Sequence, residues 1–91
     1  MNDASMTFRL RESDLAWSNI RGELVAADMR SEQYLKGNRT AVLLFEMLNE
    51  GATREELAER LVAEFDIGDE RALSDVDGFL AELRAAGLLA G

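Results

Sequence analysis

Cysteine, histidine and proline are all missing from this 91-residue chain. Without cysteine there are no disulfides, thiolate metal sites or thiol nucleophiles, and the chain suits a reducing compartment. Without histidine the commonest general acid–base and metal-binding side chain is gone, so catalysis is disfavoured from the outset. Without proline nothing interrupts a helix from inside. Long apolar runs are missing too. None approaches the roughly 20 residues that cross a bilayer, and Met1-Asn2-Asp3-Ala4-Ser5 lacks the basic and apolar regions of a signal peptide. The expectation is one cytoplasmic domain over 1–91, with one modest core and a flexible tail at 1–5.

What is present divides near Asn38. Residues 1–44 carry six basic and six acidic side chains, whereas 45–91 carry four and twelve, so the second half holds the whole net charge of −8. Such a field repels phosphate backbones and favours a neutral or basic partner; acidic helix faces also serve simply to keep a chain soluble. The apolar period changes at the same place, from alternation before Asn38 to helical spacing after it. Strands first and helices last predict a small α+β domain with an exposed sheet edge.

In the first half, Leu15 to Ile20 and Glu23 to Asp28 read as a hairpin around Arg21-Gly22. Ser31-Glu32 supplies a second turn, and Gln33-Tyr34-Leu35-Lys36 a third, short strand stopped by Gly37-Asn38. Met6 to Leu10 also alternates, and either pairs with a neighbour or lies loosely. Trp17 and Phe8 are candidates for exposed contacts, but as aromatic members of strands they read more readily as core. In the second half, a helix starting near Asn38 or Thr40 is apolar nearly all round, which predicts burial between the sheet and the other helices. It ends at Gly51. Thr53-Arg54-Glu55-Glu56 is a capping box opening a second helix, striped by Leu57, Leu61, Val62 and Phe65, with Gly68 beyond its end. A third helix spans Asp69 to Ala86, stopped by Gly87, with Leu88-Leu89 folding back on the core.

On that last helix, stepping about 100° per residue from Ala72, Val76, Phe79, Leu83 and Ala86 fall within roughly 40°, while Leu80 and Leu73 lie at about 80° and 100°. Arg84 and Asp77 follow at about 120° and 140°. The flank of Leu73, Leu80, Asp77 and Arg84 is therefore expected to wall a groove for an extended ligand, the alternative being that both leucines pack on a strand.

The order and spacing of Val25-Ala26-Ala27-Asp28, Gln33-Tyr34, Asn38-Arg39-Thr40-Ala41, Gly51 to Leu57, Asp75-Val76, Phe79-Leu80, Leu83 and Gly87-Leu88-Leu89 resemble the PqqD-like family. Its members are recognition elements for the precursors of ribosomally made, modified peptides. The resemblance covers about Leu15 to Leu89. It implies a winged-helix-like fold, three antiparallel strands followed by three helices, with no catalytic residues, metal or other cofactor. It further implies that a leader peptide adds as a strand to the third strand, against the last helix. The peptide-binding residues expected on these grounds are Gln33, Tyr34, Leu35, Lys36, Leu73, Val76, Asp77, Leu80 and Arg84. Apolar side chains of the leader would sit between Tyr34 or Leu35 and Leu73, Val76 and Leu80, with Lys36, Asp77 and Arg84 steering its charged ends. The partners implied are the leader and separate maturation enzymes, a protease and a cyclase, as for the free-standing members in lasso peptide clusters. An open edge also offers pairing with a second copy. Relatives commonly carry Gly where this chain has Glu32 and an aliphatic residue where it has Gly37, so the second turn and the pocket floor are where it is expected to differ.

Other classes fit less well. A DNA-binding winged helix needs a basic recognition helix, but Asp69 to Ala86 holds two basic and five acidic residues. An acyl carrier protein needs a serine opening a helix, and Ser74 lies inside one. Glu55 with Glu56, or Asp75 with Asp77, could serve as paired carboxylates, yet near neighbours on a helix face apart and a capping box already explains the first pair.

Overall fold

The computed structural model describes residues 6–90, so the tail expected at 1–5 lies outside the described residues. Strands β2 (Leu15–Ile20), β3 (Glu23–Asp28) and β4 (Gln33–Gly37) form an antiparallel sheet in the order β2-β3-β4. Arg21 and Gly22 both take positive φ, 55° and 85°, the backbone a two-residue hairpin turn demands, and the Asn19 side chain accepts a hydrogen bond from the Gly22 N–H at 2.8 Å. The register places Trp17, Ala26 and Leu35 in one row and Ala16, Ala27 and Tyr34 in the next. Strand alternation puts these rows on opposite faces. Leu24 and Ala26 are buried, so the row holding Leu35 faces the core, while Tyr34 and Lys36 stand on the outer face.

Helices α1 (Arg39–Glu50), α2 (Arg54–Phe65) and α3 (Asp69–Ala85) follow. Asn38 caps α1, its side chain accepting from the Ala41 N–H at 3.0 Å. As its all-round apolar pattern predicts, α1 is the centre of the core. Leu44, Phe45 and Leu48 are fully buried, and Phe45 meets Trp17 and Phe79 edge to face at 5.6 and 6.1 Å. Truncating such a ring to alanine costs about 3–5 kcal/mol. The capping box of α2 forms in both directions between Thr53 and Glu56.

One end signal reads differently in three dimensions. Asp66, at φ 54°, closes α2, and Gly68 instead begins α3. A short aspartate tolerates the left-handed region well enough to end a helix without glycine. The stop at Gly87 holds: the Leu88 N–H reaches the Leu83 carbonyl at 2.9 Å and the Gly87 N–H that of Arg84 at 3.0 Å. Leu88 then buries against the core, as this kind of cap favours.

The segment from Met6 to Leu10 does find partners. Within it β1 (Thr7–Phe8) pairs with β5 (Ala52–Thr53), a strand the sequence pattern did not indicate, and Leu10 bridges Leu89. Arg11 fastens this seam. Its guanidinium donates to the carbonyls of Ser13, Asp14 and Gly87 and pairs with Asp28 at 2.5 Å. That contact, with the Arg30 N–H and the Ser31 hydroxyl also donating, holds the Asp28 carboxyl down to about 2. No helix among the described residues is long and apolar enough to cross a membrane.

Candidate functional site

Strand β4 pairs with β3 along one edge only; among the described residues its other edge has no strand partner. Beyond that edge a groove of about 700 Å³ separates β4 from α3. Its floor comes from β3 and from the start of α1, through Leu24, Ala41 and Leu44. One wall is Leu35, Lys36 and Gly37. The other is the face of α3 that carries Arg71, Ser74, Asp75, Gly78, Phe79 and Glu82. Leu35 is 37% exposed on the groove side, whereas Tyr34 is 81% exposed on the opposite face of the sheet.

The groove lies where strand addition was expected, but its helical wall is the other flank of α3. By the same helical wheel Asp75, Glu82 and Gly78 sit at about −60°, −80° and −120°, opposite the flank of Leu73 and Asp77. The reason is α2, which packs on that latter flank. Asp77 accepts two hydrogen bonds from Arg54 of α2, at 2.6 and 2.9 Å, which hold its carboxyl below the usual range and the Arg54 guanidinium above its own. Leu80 is 6% exposed and Val76 fully buried, so both are core residues; Leu73 is half-buried beside them. Arg84 lies away from the groove, with Phe8 and Leu89. Of the nine residues expected at the site, Leu35 and Lys36 line the groove, and Gln33 and Tyr34 belong to its strand.

The charges at the rim are correspondingly different. Arg71 and Asp75 pair with each other at 3.8 Å, leaving Glu82 on the helix side without an ion-pair partner among the described residues, while Lys36 borders the groove at the strand edge and its row turns to the outer face. The apolar width of α3 and its Asp77 and Arg84 charges point to the flank that α2 covers; the sequence signal on the groove flank is Gly78, the one glycine inside that helix, with Ser74, Asp75 and Glu82 around it.

Gly37 has a structural cause. A Cβ built there would stand 2.5 Å from that of Ala41, so an aliphatic side chain has no room against α1. Glu32, in the second turn, takes a left-handed backbone at φ 60°.

The model for the family described as Coenzyme PQQ synthesis protein D (PqqD) matches residues 23–89, which takes in two strands of the sheet and all three helices. The chain belongs to the PqqD family. Among solved structures, this PqqD-family chain is similar to one described as lasso peptide synthetase B1 complexed with the leader peptide. The two are 26% identical, with a TM-score of 0.80 over 92% of this chain and 98% of that one. It also shares its fold with TbiB1 in complex with the TbiA(beta) leader peptide, at 22% identity and a TM-score of 0.82 over 91% and 95% of the two chains. No curated protein matches the chain.

Proposed function

We propose that this chain binds the leader region of a ribosomally made precursor peptide, without catalysis of its own, and holds it for separate enzymes in the cytoplasm. One observation carries the reading: an unpaired strand edge runs along a groove with an apolar floor and a helix as its far wall. The similarity to a leader-bound lasso peptide synthetase B1 supports it. A leader segment adds to β4 through the backbone of Gln33 to Lys36, which gives affinity for any extended chain, while side chains entering the groove give selection. Leu35 and Phe79 are the apolar contacts, Glu82 meets a charge of the leader from the helix side, and Lys36 contributes its backbone at the strand edge. Leu73, Val76 and Leu80 hold α3 in place behind the groove, and Asp77 and Arg84 lie outside it.

Bound in this way, the leader raises the effective concentration of its attached core peptide at a leader protease and a cyclase. In the absence of leader the same edge is available to a second copy of the chain. The test is an NMR titration of the labelled protein with the leader of a precursor encoded beside its gene. Shifts concentrated on Gln33 to Gly37 and Ser74 to Glu82, lost in a folded Leu35→Asp variant, are the expected result. No shift at near-millimolar peptide, or shifts on the outer sheet face, would overturn the reading.

A further inference from the structure

Gly78 lies in the interior of a 17-residue helix. Glycine is the least favourable residue there except proline, because it surrenders most backbone freedom on folding. Two structural causes commonly account for a helix glycine, a left-handed backbone or a neighbour pressed against the Cα. Neither applies. Its φ is not positive, and a Cβ built on it meets no atom within 4 Å. Gly37, on the strand wall of the same groove, is different, since Ala41 forbids it a side chain. The space at Gly78 is left open by the folded chain, on the exposed face of α3 that lines the groove.

We infer that Gly78 is a specificity-determining residue, and that the gap it leaves is filled by a bulky apolar side chain of the bound extended peptide. This rests on the proposed binding of a leader in the groove and adds which position of α3 selects its sequence. The apolar character follows from the floor and the strand wall, where Leu24, Leu35 and Leu44 face α3, while Ser74, Asp75 and Glu82 around Gly78 make the polar rim of the gap. In an extended peptide only alternate side chains face one way. One residue of the ligand therefore answers to Gly78.

The experiment compares wild type, Gly78→Ala and Gly78→Leu by thermal unfolding and by titration with the leader of the precursor encoded beside the gene. With no ligand, Gly78→Ala melts about 3–8 °C higher because the helix gains propensity. Both variants bind the leader more weakly, Gly78→Leu by about tenfold or more. Alanine substitution of each apolar residue of the leader then finds one position whose truncation weakens binding to wild type but not to Gly78→Leu, the coupling expected of two groups that share one gap. If wild type binds and Gly78→Leu binds equally well, or if no leader position couples to residue 78, the inference falls and strand addition stands. Lower melting of both variants makes the glycine structural and overturns the inference as well. If wild type itself does not bind, the proposed function fails, and the inference with it.

Discussion

Gly37→Ala is the most direct test of how closely β4 and α1 approach beneath the groove. The added methyl arrives 2.5 Å from the Cβ of Ala41, whereas carbon atoms in contact rest at roughly 3.5–4 Å. Neither partner can swing away, because each Cβ is fixed by its own backbone. Overpacking of this kind costs about 1–3 kcal/mol. Removing a glycine returns about 0.4–1 kcal/mol by restricting the unfolded chain. At the middle of these ranges the net loss is about 1.3 kcal/mol, a fall in melting temperature of about 5–10 °C for a domain of this size. Ala41→Gly alone costs about 1 kcal/mol in helix propensity. The double variant removes the collision and is more stable than the two separate losses predict, by about 1–2 kcal/mol. Circular dichroism melts and urea titrations of the four proteins measure all three quantities. If Gly37→Ala melts at or above the wild type, or if the two substitutions simply add, the close approach is not what keeps glycine at position 37.

Further outcomes follow from the same structure. The carboxyl of Asp28 has a folded pKa of about 2, below its ordinary 3.8, so the stability it contributes is present above the higher value and lost as pH falls toward the lower. The melting temperature of wild type should drop more steeply between those two pH values than that of Asp28→Asn; parallel curves would remove Arg11–Asp28 as the cause. Glu32→Gly relieves a left-handed backbone at φ 60° and should raise stability by up to about 1 kcal/mol in urea unfolding, whereas a loss would mean that the glutamate side chain itself supports the turn. Leu80→Asp buries a charge in the core and should unfold the protein, seen as lost far-ultraviolet circular dichroism. Leu35→Asp, on a half-exposed strand, should stay folded; if both variants fold equally well, Leu80 is not the core residue described here.

Much of this fold is written in short stretches of sequence. The Arg21-Gly22 turn, the Thr53–Glu56 capping box, the stop at Gly87 and the all-round apolar pattern of the first helix each depend on residues within a turn or two of one another, and each forms. So does the placing of a third strand at Gln33, with an open edge next to the last helix. Helix propensity and alternation act through the local backbone, which is why one chain suffices to read them. Signals whose partners are distant were not legible. The pairing of Thr7–Phe8 with Ala52–Thr53 joins two segments of only two residues, too short to show a period. The orientation of α3 is the larger case. Its sequence shows a lopsided apolar stripe, but whether the Leu73–Leu80 flank or the Gly78–Glu82 flank meets the groove depends on where α2 lies. That choice was made by long-range packing: α2 took the flank where Arg54 can pair with Asp77 and where Leu80 can be buried, and left the other flank, with its glycine, facing the strand edge.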